Sequence, residues 1–183
     1  MVSALRFAAL VSVVCAGLAC HAAADTRLQL QEVEAFLARE GGKATLEKYF
    51  CGEYENATIA AISSGSPRWA ALAVKMLKYS DAGCTTSLLA SLGKAMQQNP
   101  VKTLPYLGTE VAKEQGTTWM LDTSMICLPF ISDELPVAEQ LRQLRASKEA
   151  ISRVRDSKLA EQRKACLDFI DQCERRANEK PSK

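Results

Sequence analysis

From residue 26 onward the apolar residues recur at helical spacing between closely placed stops, and nowhere do they alternate with polar ones for long enough to commit to a strand. Thr26-x-x-Gln29 has the form of a capping box, opening a helix in which Leu30, Val33 and Leu37 share a face and which Gly41-Gly42 stops. Short helices near 44–51 and 55–63 follow, the second carrying Ile59 and Ile62. Ser66-Pro67 then supplies an N-cap serine and a first-turn proline. Beyond it Trp69, Leu72, Ala73, Met76 and Leu77 form an apolar stripe. Asp81-Ala82-Gly83 turns the chain and caps a helix with Leu88, Leu92, Ala95 and Met96 inward, which Asn99-Pro100 ends.

The two segments of 66–98 thus predict an antiparallel helical hairpin. No second copy recurs at a fixed period, so a solenoid is not expected. Pro100 to Leu107 reads as a short helix closed by Gly108. Between 109 and 135, Trp119, Met120, Met125, Ile126, Phe130 and Ile131 read as core material, while Pro129 and Pro136 break the periodicity. Helices are expected over about 137–153 (Val137, Leu141, Leu144, Ile151) and 156–176 (Leu159, Cys166, Ile170, Cys173). The expected fold is all-α: a single irregular multi-helix bundle built around the 66–98 hairpin. It would occupy residues 25–178, with 179–183 as a disordered tail.

Residues 1–24 have the pattern of a signal peptide. Arg6 precedes an uncharged apolar run from Phe7 to Cys20, and Ala22-Ala23-Ala24 offers a small-x-small cleavage site before Asp25. That run is too short to cross a bilayer core of roughly 30 Å as a stable helix. Gly17-Leu18-Ala19-Cys20 is a competing signal, because it resembles a lipoprotein box whose cysteine would be acylated. The chain is therefore expected in the periplasm or outside the cell, or as a lipoprotein anchored at Cys20.

The only histidine is His21, inside the removable segment. A chain processed after Ala24 has no imidazole for a Ser-His-Asp or Cys-His mechanism, nor for a His-ligated metal. No cofactor or metal is expected. Of the charged residues, processing removes Arg6 alone, so 22 basic side chains (23 less Arg6) face 21 acidic ones. Such a balance exerts no general pull on nucleic acid.

Five cysteines lie beyond the cleavage site: Cys51, Cys84, Cys127, Cys166 and Cys173. Export favours pairing, and the odd count leaves one thiol over. Cys166 and Cys173 are seven residues apart on a helical stretch, about 10 Å along its axis and too far to bond each other. Cys127, at a helix end before Leu128-Pro129, is paired here with Cys166; Cys51–Cys84 is the second expected bridge, leaving Cys173 free.

Chemistry-bearing motifs are sparse. Ser91-Leu92-Gly93-Lys94 matches S-x-x-K, in which lysine can take the serine proton, but its companion motifs are only half present in Ser132-Asp133-Glu134 and Lys102-Thr103-Leu104. Glu53 and Glu55 flank Tyr54, a spacing that aims them at different faces of a helix. Asn56-Ala57-Thr58 fits a glycosylation sequon. The one basic stretch, 142–164, includes Arg145, Lys148 and Arg155; it reads as a solvated face or as a dock for an acidic partner. Trp69 and Trp119 read as core residues or as interface anchors.

The stretch Ile62 to Leu107, with Ser64-Gly65-Ser66, Trp69, Ser80-Asp81-Ala82-Gly83 and Asn99-Pro100, resembles small exported helical proteins of Gram-negative bacteria that carry no assigned activity. Ile126-Cys127-Leu128-Pro129-Phe130-Ile131 and Cys166-Leu167 are similar too. The resemblance implies a periplasmic setting and an all-helical domain, and brings no chemistry.

The reading that follows is a non-enzymatic, exported protein-binding module, such as an inhibitor or immunity protein. Its partner would be another periplasmic protein, with Trp69, Trp119, Arg145, Lys148 and Arg155 as candidate interface residues. The alternatives are a structural or lipid-anchored envelope component, and an envelope hydrolase using carboxylates or the Ser91–Lys94 pair. A membrane enters only through acylation of Cys20.

Overall fold

The computed structural model describes residues 28–113, 116–129, 131 and 134–179. The signal-peptide segment, Cys20, Thr26 and the final residues 180–183 lie outside it, as does Phe130. Among the described residues the chain forms eight α-helices and one two-stranded ribbon. The helices are α1 (Leu30–Thr45), α2 (Glu55–Ser63), α3 (Pro67–Met76), α4 (Ala82–Gln98), α5 (Pro100–Thr103), α6 (Thr123–Ile126), α7 (Val137–Ser152) and α8 (Ala160–Glu179). The all-α bundle predicted from periodicity is the observed class.

Glycine does not stop α1. Gly41 adopts φ +82°, which kinks the helix, and helical structure then resumes through Thr45 into a wide turn over Leu46–Phe50. Pro67 opens α3, but the Ser66 side chain makes no capping bond, so its backbone carbonyl alone starts the helix by accepting from Ala70 N at 2.9 Å. Asp81 does cap α4: its Oδ1 accepts from Cys84 N at 3.0 Å.

The central element is α4, which packs against α2, α3, α6 and α7. Its contact with α2 is more extensive than the one with its hairpin partner α3, and α7 and α8 form a second hairpin of their own. Leu88, Leu92, Ala95 and Met96 of α4 are buried together with Ile62, Met76 and Ile126 in one continuous core. The approach of α6 depends on Gly93, where a Cβ would sit 1.9 Å from the carbonyl oxygen of Leu128. Only a residue without a side chain lets that backbone lie on α4.

No alternation of apolar and polar residues announces the ribbon. Strands β1 (Glu110–Ala112) and β2 (Thr118–Met120) pair antiparallel, with Val111 opposite Trp119. Each has three residues and only Val111 is buried, too short a stretch for alternation to register. In consequence Met120, expected in the core, is 49% exposed, and Trp119 is only half-buried. Lys113, just past β1, ties the ribbon to the α3–α4 turn by donating to Ser80 O at 2.5 Å, Ser80 Oγ at 3.0 Å and Thr85 Oγ1 at 3.2 Å. At the other end of the chain Glu179, expected in a disordered tail, is the last residue of α8.

Two disulfides staple the helices. Cys51–Cys84 joins the turn after α1 to the first turn of α4, with Cα atoms 5.7 Å apart. Cys127–Cys166 joins the end of α6 to α8, with Cα atoms 5.4 Å apart. Cys173 is free. This is the connectivity expected from the sequence, and such bonds mark an oxidising compartment rather than a reducing one.

Two stability predictions follow from these contacts. The Cys127→Ser/Cys166→Ser double variant opens a loop of 39 residues and is expected to lose roughly 3–4 kcal/mol in urea unfolding; an unchanged midpoint would refute the staple. Gly93→Ala, which forces α6 off α4, is expected to cost about 1–3 kcal/mol, read as a lowered midpoint at constant slope.

Candidate functional site

Helices α4, α6, α7 and α8 leave a groove between them with a volume of about 500 Å³. Its walls come from residues spaced to share one face of each helix. On α4 they are Thr86, Leu89 and Ala90, three and four residues apart; on α8 they are Phe169, Cys173 and Arg176, four and seven residues along. The core-facing Cys166 and Ile170 of α8 lie beside this face, and buried Ala177 belongs to both, lining the groove as well. Met125 of α6 and Leu128 form the floor on one side, and Leu144 of α7 on the other.

Most of this lining is apolar, and its polar groups are few. Gln140 is 6% exposed and donates from Nε2 to Leu135 O at 2.7 Å, which fixes the loop before α7. Arg176 is the one charged side chain among the described residues that line the groove, and it is exposed. Cys173 is half-buried, and burial pushes its thiol above the usual range while the Arg176 charge pulls weakly the other way. No base stands beside it to make a thiolate nucleophile. Walls of this kind are suited to holding an apolar segment.

The candidate residues from the sequence fall elsewhere. Trp69 is 7% exposed and packs in the core, so its ring is a structural residue and presents no free face to a partner. Trp119 lies on the ribbon, beside a separate cavity at the α3–α4 turn. Arg145 and Lys148 line a shallow hollow on the outer side of α7, and Arg155 is exposed beyond the helix end. None of the cavities in the described residues gathers more than two of the five.

Four of the basic residues of the stretch, Arg142, Lys148, Arg153 and Lys164, pair with neighbouring acids. Lys148 bonds Asp171 at 2.7 Å and Glu174 at 2.8 Å, and both carboxylates hold its ammonium above the usual range. Arg142 bonds Glu139, Arg153 pairs with Glu149, and Lys164 with Asp168 at 2.5 Å. The Arg142 and Gln143 side chains pull the Glu139 carboxyl down to about 2. These surface pairs contribute little to stability.

Nor does the Ser91–Lys94 motif assemble. Ser91 is 1% exposed, with its hydroxyl donated to Ser87 O at 2.7 Å, whereas Lys94 is exposed. Among the described residues no group of three or more His, Cys, Asp or Glu side chains is placed to hold a metal ion. No described helix is long and apolar enough to cross a membrane. The groove was hard to find from sequence because Phe169 and Arg176 look like ordinary amphipathic-helix residues. Only the free Cys173 signalled that stripe.

No protein-family model matches the chain, and neither a curated protein nor a solved structure does.

The burial of Cys173 generates a reactivity prediction. In the folded protein its alkylation by iodoacetamide is expected to be much slower at neutral pH than that of a small free thiol. The rate should keep rising at pH values where an ordinary cysteine has already levelled off, since the thiolate forms later. Unfolding in urea should abolish the difference between Cys173 and a small thiol; fast labelling of Cys173 in the native protein at pH 7 would contradict the burial.

Proposed function

We propose that the chain is exported and acts as a protein-binding module, accepting an apolar segment of another exported protein in the groove between α4, α6, α7 and α8. The observation that carries this reading is the groove's composition: about 500 Å³ of mostly apolar lining, one cation at Arg176 and no nucleophile–base pair within it. Apolar concavities with a few polar groups at the edge are where binding energy concentrates, because desolvation is favourable there and orientation is set by a small number of bonds. Export rests on the signal-like run Phe7–Cys20 and the Ala22-Ala23-Ala24 site, and two disulfides support it. A Gram-negative periplasm is the compartment we infer. An inhibitor or immunity protein is one concrete form of such a module.

A second reading, an envelope component anchored through an acylated Cys20, is favoured by Gly17-Leu18-Ala19-Cys20 alone. It changes where the groove is displayed and leaves its chemistry as it is.

The test is affinity capture from a periplasmic extract with three baits: wild type, Arg176→Glu and Leu89→Glu. Arg176 is exposed and Leu89 half-buried, so melting curves must first show that both variants fold. A stoichiometric partner is expected with wild type and is expected to be lost or weakened at least tenfold with both variants, roughly 1.4 kcal/mol or more. A partner retained equally by all three would move the interface off the groove. Finding none with wild type would count against the module.

A further inference from the structure

A second cluster, at the α3–α4 turn, joins two hydroxyls and an amine. Ser80 ends the α3–α4 turn, Thr85 lies in the first turns of α4, and Lys113 follows β1. Lys113 Nζ stands 3.0 Å from Ser80 Oγ and 3.2 Å from Thr85 Oγ1, and the two hydroxyl oxygens are 2.5 Å apart. All three residues line a cavity of about 810 Å³ that also receives Trp119 and Tyr79. This nucleophile–base contact is the one the sequence motif at Ser91 and Lys94 failed to provide.

We propose that Ser80, Lys113 and Thr85 form an acyl-transfer site, with Ser80 as nucleophile, Lys113 as its base and Thr85 as the group that orients the amine. Serine–lysine pairs do the work of a serine–histidine pair where imidazole is lacking. A lysine serves this way when it is shielded from water, and burial does lower the basicity of Lys113, with the Asp81 charge opposing. The contacts accommodate the neutral amine. At rest Lys113 Nζ donates to Ser80 O, Ser80 Oγ and Thr85 Oγ1, while Ser80, 7% exposed, donates its hydroxyl to Leu77 O at 3.0 Å. On losing its proton the amine keeps two N–H donors, for Ser80 O and Thr85 Oγ1, and its lone pair draws the Ser80 proton away from Leu77 O.

The reaction balances without a metal or an oxidant. Ser80 Oγ bonds to the acyl carbon as its proton passes to Lys113 Nζ. The ammonium returns that proton to the leaving oxygen or nitrogen as the acyl bond breaks. Water then repeats the sequence on the acyl-serine, and Ser80 recovers its proton. The amides of Ala82 and Gly83 open the 17-residue α4 and have no intrahelical acceptor. Space over Gly83 is open, since a Cβ there would meet only Asp81 Oδ1 at 3.9 Å. A developing oxyanion beside Ser80 would find these donors.

The cavity also sets the substrate class. Lys43 and Lys78 line it against Glu47 and Asp81, and Asp81 is already engaged in capping α4. Two lysines thus face two carboxylates, and with Trp119 and Tyr79 as apolar wall the surroundings suit an uncharged ester or strained amide with an apolar group.

The experiment exposes the folded protein to a fluorophosphonate probe across a pH series and reads intact mass, with peptide mapping of the adduct. One adduct is expected, on Ser80, absent in Ser80→Ala. Its rate should rise through an apparent pKa below that of an ordinary lysine. Lys113→Met and Lys113→Arg should both slow labelling by roughly a hundredfold or more, although arginine keeps the charge. Thr85→Val should slow it less. Absence of an adduct on wild-type protein that melts cooperatively would overturn the proposal, as would an adduct that survives Ser80→Ala. So would a Lys113→Met variant that melts lower yet labels at the wild-type rate, since Lys113 would then only brace the ribbon.

Discussion

The bond between Cys127 and Cys166 has consequences well beyond its own two residues. It holds the end of α6, a helix of one turn, against the middle of α8. A helix that short has no intrinsic stability in water and exists only where tertiary contacts fix it. Its backbone then rests on α4 at Gly93, where the Leu128 carbonyl fills the space a side chain would need. Floor and far wall of the groove, Met125 on one side and Phe169 with Cys173 on the other, are thereby set at a fixed separation. Without the staple, α8 would be held mainly by its packing on α7 and the α6 segment by little.

This division of labour explains which parts of the molecule were legible in the residues. The helices followed from period and punctuation: Pro67 opened α3, Asp81 capped α4, and Leu88, Leu92 and Met96 turned inward as their spacing required. Helical rise excluded a bond between Cys166 and Cys173 but left the other pairings open, and which cysteines meet is decided by how α6 and the turn after α1 pack. What did not show was decided across the fold. Val111 and Trp119 pair as a ribbon through backbone bonds between segments too short to carry a period. The glycine pair at 41–42 kinks α1 where it was expected to end it, because the core contacts of Leu46, Tyr49 and Phe50 draw the chain onward.

The candidate sites divide the same way. Trp69 is an aromatic residue at a core position of an amphipathic helix, and burial claimed it. Of Arg145, Lys148 and Arg155, Lys148 is held by Asp171 and Glu174 on the neighbouring helix. Neither fact needs a partner to explain it. The groove, by contrast, is a feature of how four helices meet, and no single segment encodes it. The same holds for Ser80 and Lys113, separated by α4, α5 and β1, whose contact depends on the ribbon folding back over the α3–α4 turn.

The two sites share α4, and its geometry keeps them apart. Thr85 and Thr86 are neighbours in sequence, yet successive residues on a helix point about 100° apart. Thr85 accordingly meets Lys113 while Thr86 lines the groove. One residue earlier, Cys84 bonds Cys51 and holds the start of α4 to the turn after α1. Any rotation of α4 about its axis would disturb both sites together, and the disulfide in its first turn resists that rotation. The lining of the groove and the Ser80–Thr85–Lys113 contacts therefore draw on the same helix through different side chains.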